Sequence, residues 1–341
     1  MRTRIADTVH TVAPWTYGVR SRVSRTVSDR RLNPESVSGY PWGRIFDPLA
    51  SLDMCTPLER AWIARYITAE HTGQGEIVEL GSWLGGITLS LVQALPKNPA
   101  WLASRRPVHV YDSFRYDCQL ERVAGSPLER EYVEGGSFQH HFERRLAPYA
   151  DRLAVHPGNV VDARWTLGPI ELLFNDVSKS WATWNAVRTE FYRSLRPGLT
   201  TVVEQDFAHS LTPWLHLWHY RARDHFRFIE SVPRSGSVVF RLERKLEPEL
   251  LEPDSIATYD EDEIDRAYLW AESLVDGYNR GNVAGAQVIL QLVHGDPDRA
   301  VRLLVKLLEA ADADTVANSE LIPIVVPAVA RMLDAGHDGG H

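Results

Sequence analysis

Between Glu76 and Glu243 the chain alternates short apolar runs with helix-patterned stretches, and this alternation excludes most architectures. The runs EIVELG, VHVYDSF, LAVHPG, IELLFNDV and TTVVEQDF are nearly continuous in apolar character. That is the composition of strands covered on both faces, as in a parallel sheet. Between them lie ITLSLVQALP, SFQHHFERRLAPYAD, ATWNAVRTEFYRSLRPG and TPWLHLWHYRARDHF, with apolar residues at helical spacing. FRFIESV and SVVFRLE follow each other through PRSG, a turn signal that predicts antiparallel pairing. Together these features predict an α/β fold, a doubly wound, seven-stranded, mostly parallel sheet of Rossmann-like type.

The flanks differ in character. Residues 1–55 are mixed and rich in arginine and proline, and are expected to form an extension that wraps the main domain or covers its cleft. From Thr56, TPLERAWIARYITAEHTG offers an N-cap Thr, Pro57 at the first helical position and Glu59 three residues after the cap, with Gly73 as the stop. Residues 56–245 form the predicted α/β domain. The stretch 246–261 is acidic and contains prolines, the composition of a linker. Residues 262–341 read as helices, expected to form a small C-terminal unit for packing or dimerisation.

With 341 residues, 44% hydrophobic, the chain can bury one large domain and smaller attachments. A formal net charge of −8 argues against nucleic acid or an anionic membrane surface as the main partner. Two cysteines, Cys55 and Cys118, are too few for a disulfide framework. No apolar run approaches the roughly 20 residues of a membrane span, and MRTRIADTVHTVAPW lacks the apolar core of a signal peptide. A soluble, cytoplasmic protein is expected.

The chemistry concentrates where strands end. In VELGSWLGG, Glu79 closes an apolar run, Gly81 permits a sharp turn, and Gly85 and Gly86 let a helix or a ligand approach closely. Trp83 stands where a dinucleotide fingerprint would place its second glycine, so the turn suits another molecule. A strand, a glycine turn and a helix N-terminus supply donors for carboxylate or phosphate. The next strand ends in Asp112, where α/β nucleotide sites grip ribose hydroxyls.

VELGSWLGG followed by VYDSF resembles the class I S-adenosylmethionine-dependent methyltransferases, and within them the macrocin O-methyltransferase-like group that acts on sugars of antibiotics. The matching residues are Glu79, Gly81, Trp83, Gly85 and Gly86, then Asp112, Ser113 and Phe114. The resemblance covers roughly residues 56–244. It implies S-adenosylmethionine as cofactor, with the Gly81 turn, including Ser82, holding the methionine end. Asp112 would take the ribose hydroxyls and Phe114 would lie against adenine. Asn159 and Asp162, after the third strand, are candidates for adenine contacts.

The fourth strand ends in NDVSK. Asp176 and Lys179 reproduce the D-x-x-K spacing of catechol O-methyltransferase-like enzymes, where the acid binds Mg²⁺ and the lysine takes the acceptor's proton. The fifth strand ends in EQDFAH, and both groups carry a metal-binding pair at this end. Counting from Gly198 sets the pair at Glu204 and Gln205; matching the aromatic Phe207 sets it at Gln205 and Asp206. The metal set is therefore Asp176 with Gln205 and Asp206, or with Glu204 and Gln205, and Lys179 or His209 is the candidate base. Trp181, Trp184, Trp214 and Trp218 could flank an acceptor ring or belong to the core. His140 and His141 are expected at a surface or cleft edge.

The function implied is O-methylation of a small secondary metabolite, a sugar or phenolic hydroxyl, with Mg²⁺ assistance and self-association. The same fold also serves aminocarboxypropyl transfer, elimination or cyclisation with the same cofactor, or a non-catalytic scaffold.

Overall fold

The computed structural model describes residues 49–117 and 119–337; most of the expected N-terminal extension, and Cys118, lie outside the described residues. The seven runs form one sheet: β1 (Glu76–Leu80), β2 (Val108–Asp112), β3 (Leu153–Pro157), β4 (Ile170–Asn175), β5 (Thr201–Glu204), β6 (Phe226–Ser231) and β7 (Val238–Leu242). Their order is β3-β2-β1-β4-β5-β7-β6. The first five pair parallel with one another, and β7 runs antiparallel to both β5 and β6. The doubly wound sheet predicted from the alternation is thus present, and its order reverses at β1. This switch point lies at the carboxyl ends of β1 and β4, the place where open α/β sheets take their ligands in a crevice.

Each face of the sheet is covered. On one side lie α1 (Pro57–Ala69), α2 (Gly86–Ala94) and α3 (Gln139–Leu146). Their Ile63, Ile67, Leu91, Phe142 and Leu146 bury against Ile77, Val110, Leu172 and Phe174 of the strands. A capping box starts α1: Glu59 N donates to Thr56 Oγ1 and Thr56 N to Glu59 Oε2. On the other side lie α4 (Trp181–Glu190), α5 (Pro213–Arg221), α6 (Glu261–Ser273) and α7 (Tyr278–His294). Trp184, Val187, Leu217, Trp218, Tyr268 and Ala286 meet Val78, Leu80, Leu173 and Phe240 in a second cluster. A third apolar cluster joins α7 to α8 (Pro297–Ala310) and α9 (Val326–His337).

The second core runs without a break from the sheet into α6 and α7. The acidic stretch 246–261 is held along α4. Asp254 Oδ1 accepts from Arg188 Nη2 at 2.8 Å and Trp181 Nε1 at 3.0 Å, while Tyr259 Oη donates to its Oδ2 at 2.7 Å. The Leu250 carbonyl accepts from Trp218 Nε1 and Arg188 Nη1. The helical tail also grips the segment after β5: Asn282 Nδ2 donates to Ala208 O at 3.1 Å, and Ser210 N and Oγ donate to Glu320 Oε2 at 2.7 and 2.8 Å. Among the described residues no helix is long and apolar enough to cross a membrane.

Arg188 is 1% exposed, so its charge depends on Asp254. Asp254→Ala is expected to cost about 3–5 kcal/mol, as for other buried ion pairs broken from one side, and Arg188→Met added to it should recover part of the loss. Urea midpoints of the three proteins check this; a midpoint unmoved by Asp254→Ala would contradict it.

Candidate functional site

Gly81 closes β1. Its N–H donates to Tyr111 O at 2.8 Å, and its φ is +85°. A Cβ there would stand 2.7 Å from the Asp176 carbonyl oxygen, so only glycine allows β1 and β4 to end this close together. The turn then aims its backbone at the end of β2: Asp112 Oδ2 accepts from Ser82 N at 2.8 Å, Trp83 N at 3.0 Å and Ser82 Oγ at 3.3 Å. Its Oδ1 accepts from Phe114 N at 2.7 Å. Burial pushes the Asp112 carboxyl above its ordinary range, against the lowering effect of these bonds.

Glu79 lies beneath the turn and is fully buried. Thr88 Oγ1 donates to its Oε2 at 2.7 Å, while Oε1 meets no hydrogen-bond partner. Burial, reinforced by the charges of Asp112 and Asp176, pushes its carboxyl up to about 8.

The other sequence candidates on this side lie around these two acids. Trp83 packs into the core, edge-on to Phe138 at 4.7 Å, with its Nε1 donating to Leu52 O. Phe114, also at positive φ, is fully buried against Phe138 and Phe142. Gly85 faces Phe142 and Leu146. Gly86 faces the carboxylate of Asp53, which is ion-paired to Arg60 at 2.8 Å and Arg145 at 2.6 Å. Ser113 and Asn159 are exposed; Asn159 Oδ1 accepts from Val161 N at 3.1 Å, and beside it Gly158 N donates to Asp112 O at 2.9 Å.

Across the crevice the ends of β4 and β5 bring the second group together. Lys179 Nζ donates to Asp176 Oδ1 at 2.7 Å and is ion-paired to Asp206. The Gln205 amide, its nitrogen turned to the acids, lies 2.7 Å from Asp206 Oδ1 and 3.0 Å from Asp176 Oδ1. Glu204 is engaged elsewhere, accepting from Asn175 Nδ2 at 2.7 Å, from His219 Nε2 at 3.0 Å and from Tyr192 Oη. Of the two registers left open by the sequence, the backbone therefore faces Gln205 and Asp206 toward Asp176. His209 is buried, its Nδ1 3.0 Å from Glu320 Oε2 and accepting from Leu211 N. Trp184 and Trp218 lie in the core, and Trp214 Nε1 donates to Ser178 O at 2.8 Å, bracing the loop that carries Lys179.

Sequence reasoning missed the Glu204–Tyr192–His219–Asn175 network, whose members come from four elements. It also missed the partner of Glu59, whose Oε1 accepts from Ser237 Oγ at 2.6 Å. No spacing in the chain signals either. What the strand ends bring together is an acidic rim, Asp112, Asp176 and Asp206, with Glu79 buried behind it and one ammonium between two of the acids. Such a rim favours a cationic ligand carrying hydroxyl donors.

Neither a family model nor a curated protein matches the chain. Solved structures do. The O-methyltransferase NovP is similar at 20% identity over 55% of this chain and 79% of that one, with a TM-score of 0.39. CalS11, a TDP-rhamnose 3'-O-methyltransferase of calicheamicin biosynthesis, is similar at 16% identity over 65% and 92%, TM-score 0.38. An O-methyltransferase from Bacillus cereus in complex with SAH is similar at 13% identity over 57% and 86%, TM-score 0.37.

Glu79 gives the site a pH signature. Its folded-state pKa, about 8, lies above the ordinary carboxyl value of 4.5. Through the window between them the folded protein holds a proton that the unfolded chain releases, so stability falls as pH rises, by at most ~1.4 kcal/mol per unit. Glu79→Gln should remove that slope. Urea unfolding across the window checks it, and parallel curves for the two proteins would contradict it.

Proposed function

We propose that the chain is an S-adenosylmethionine-dependent O-methyltransferase acting on a hydroxyl of a small molecule, a sugar or a phenol of secondary metabolism. The observation that carries this reading is the Asp112 carboxylate clasped by the Gly81 turn, facing the Asp176–Lys179–Asp206 rim across the mouth of the sheet.

Each residue then has a task set by its chemistry. Asp112 is held by three backbone N–H groups and the Ser82 hydroxyl at 3.3 Å, and ribose hydroxyls would take the place of the longer of these bonds. The Gly81 turn would hold the amino-acid end of the donor on the side of Glu79, whose Oε1 has no hydrogen-bond partner. A positive charge placed there favours the ionised Glu79 and lowers its pKa. The donor supplies an electrophilic methyl, so the protein's work is alignment and removal of the acceptor's proton. Asp176 and Asp206 can accept that proton through Lys179, which touches both. His209, tied to Glu320, steadies the loop after β5 in this arrangement. The exposed Ser113 and Asn159 lie toward the adenine side, with Phe114 behind them.

The carboxylates of Asp176 and Asp206, with the Gln205 amide rotated to present its oxygen instead of its nitrogen, would give the oxygen donors that a hard cation such as Mg²⁺ takes. Lys179 would have to leave the space between the acids, and its side chain is 34% exposed, with room to swing out. When bound there, a divalent ion would lower the pKa of the acceptor hydroxyl. Self-association belongs to the same proposal: Leu269, Val305 and Ile322 on the helical tail are exposed, and light scattering would report the dimer.

The test is product analysis with S-adenosylmethionine and a panel of sugar and phenolic acceptors. S-adenosylhomocysteine with a methylated acceptor is expected. Asp112→Asn should weaken donor binding at least tenfold, the loss of a charge-assisted bond, and Lys179→Met should lower turnover with donor affinity unchanged. Methylthioadenosine as product would mean aminocarboxypropyl transfer, and donor binding without any product would mean a scaffold. Turnover unaffected by exhaustive EDTA would assign the charge between the acids to Lys179 alone.

A further inference from the structure

Between β2 and α3 the chain makes an excursion over residues 113–138 that returns on itself. Tyr116 N donates to Gly136 O at 2.8 Å, and Phe138 N donates to Phe114 O at 2.9 Å. Where the excursion meets α3, three side chains converge. His140 Nε2 lies 3.3 Å, and His141 Nε2 lies 3.2 Å, from the same Glu131 oxygen, Oε2. The two rings are 3.9 Å apart, and the three ligand atoms fall within 4.8 Å of one another.

His140 Nε2 hydrogen-bonds Glu131 Oε2 at 3.3 Å, and a second imidazole faces the same oxygen. The His141 ring is 4% exposed, yet its Nε2 makes no hydrogen bond despite its approach to Glu131. The two rings are tilted by 40° to each other and both turn Nε2 toward the same carboxylate oxygen. A divalent cation between them satisfies all three groups. On a tetrahedron with metal–ligand bonds of about 2.0–2.1 Å, neighbouring ligand atoms stand about 3.3 Å apart, close to the two separations present here. Arg144 is the opposing charge nearby.

We propose that Glu131, His140 and His141 form a binding site for a borderline transition-metal ion, Zn²⁺ by its donor chemistry, with the fourth position open to water or an outside ligand. Two imidazoles and one carboxylate select such an ion over Mg²⁺ or Ca²⁺, which take oxygen donors. The site is therefore chemically distinct from the all-oxygen set of Asp176, Gln205 and Asp206, and it stands whether or not the chain transfers methyl groups. Its position gives it a role. It fastens the excursion after Asp112 to α3, the helix whose Phe142 packs on Phe114 and Gly85, and so stiffens one wall of the crevice.

The experiment uses the full chain, stripped of metal by dialysis against chelator, then titrated with ZnCl₂ in competition with a chromophoric chelator. One tight equivalent is expected, with Co²⁺ giving the intense visible bands of a four-coordinate ion and Zn²⁺ raising Tm. His140→Ala and Glu131→Gln sit at half-exposed positions and should keep the fold, checked by circular dichroism, while weakening Zn²⁺ at least tenfold each. His294→Ala, on the exposed end of α7, should change nothing. Absence of a stoichiometric equivalent, or equal affinity in the Glu131→Gln/His140→Ala double variant, would overturn the proposal.

Discussion

Asp112 holds the site together. Its carboxylate gathers the N–H groups of Ser82 and Trp83 from the turn after β1, and that of Phe114 from the end of its own strand. Trp83 and Phe114 adopt left-handed backbone with φ of 49° and 51°, each costing about 1 kcal/mol or more. Both pack against Phe138, so the strain is offset by a carboxylate above and an aromatic core below. The ends of β1 and β2 are thereby fixed relative to each other, and Gly81 lets the end of β4 join them through the close approach of Asp176. Three strand ends then present their acids to one crevice.

Acids gathered this closely must be protonated, paired or given donors. Each outcome occurs. Glu79 keeps a proton to an unusually high pH, Asp112 takes backbone donors, and Asp176 and Asp206 share the Lys179 ammonium. Behind them Glu204 ties β5 to β4 through Asn175, to the segment after α4 through Tyr192, and to α5 through His219. The helical tail completes the support by holding Ala208 and Ser210 in the loop that follows Asp206. The rim is thus pre-shaped from below and from the side, as an alignment-driven reaction requires.

The inner strands β1, β2, β4 and β5 were readable because burial on both faces writes an unbroken apolar run, and the capping box of α1 was readable because its partners sit three residues apart. Glu79, Gly81, Asp112 and Asp176 were readable because the rim of an α/β sheet lies at strand ends. The sequence could not choose between Glu204 and Asp206, because the choice depends on how the backbone turns after β5. It could not tell that Trp83 and Phe114 point into the core, since that follows from positive φ and from Phe138 and Phe142 further along. Acidic, proline-containing composition marked 246–261 as a linker; its Asp254 meets Arg188 from 66 residues away, a pairing no local pattern records. Glu131 and the two histidines come together through a fold-back of the same kind.

The account rests on Asp112 as the grip for an adenosyl group at the Gly81 turn, and a crystal structure with S-adenosylhomocysteine bound tests it most directly. The prediction is a ribose whose two hydroxyls lie within about 3.2 Å of the Asp112 oxygens, with the homocysteine end beside Gly81 and the sulfur facing Asp176. A nucleoside bound elsewhere, with Asp112 still closed on the turn and out of reach of any ribose, would contradict it.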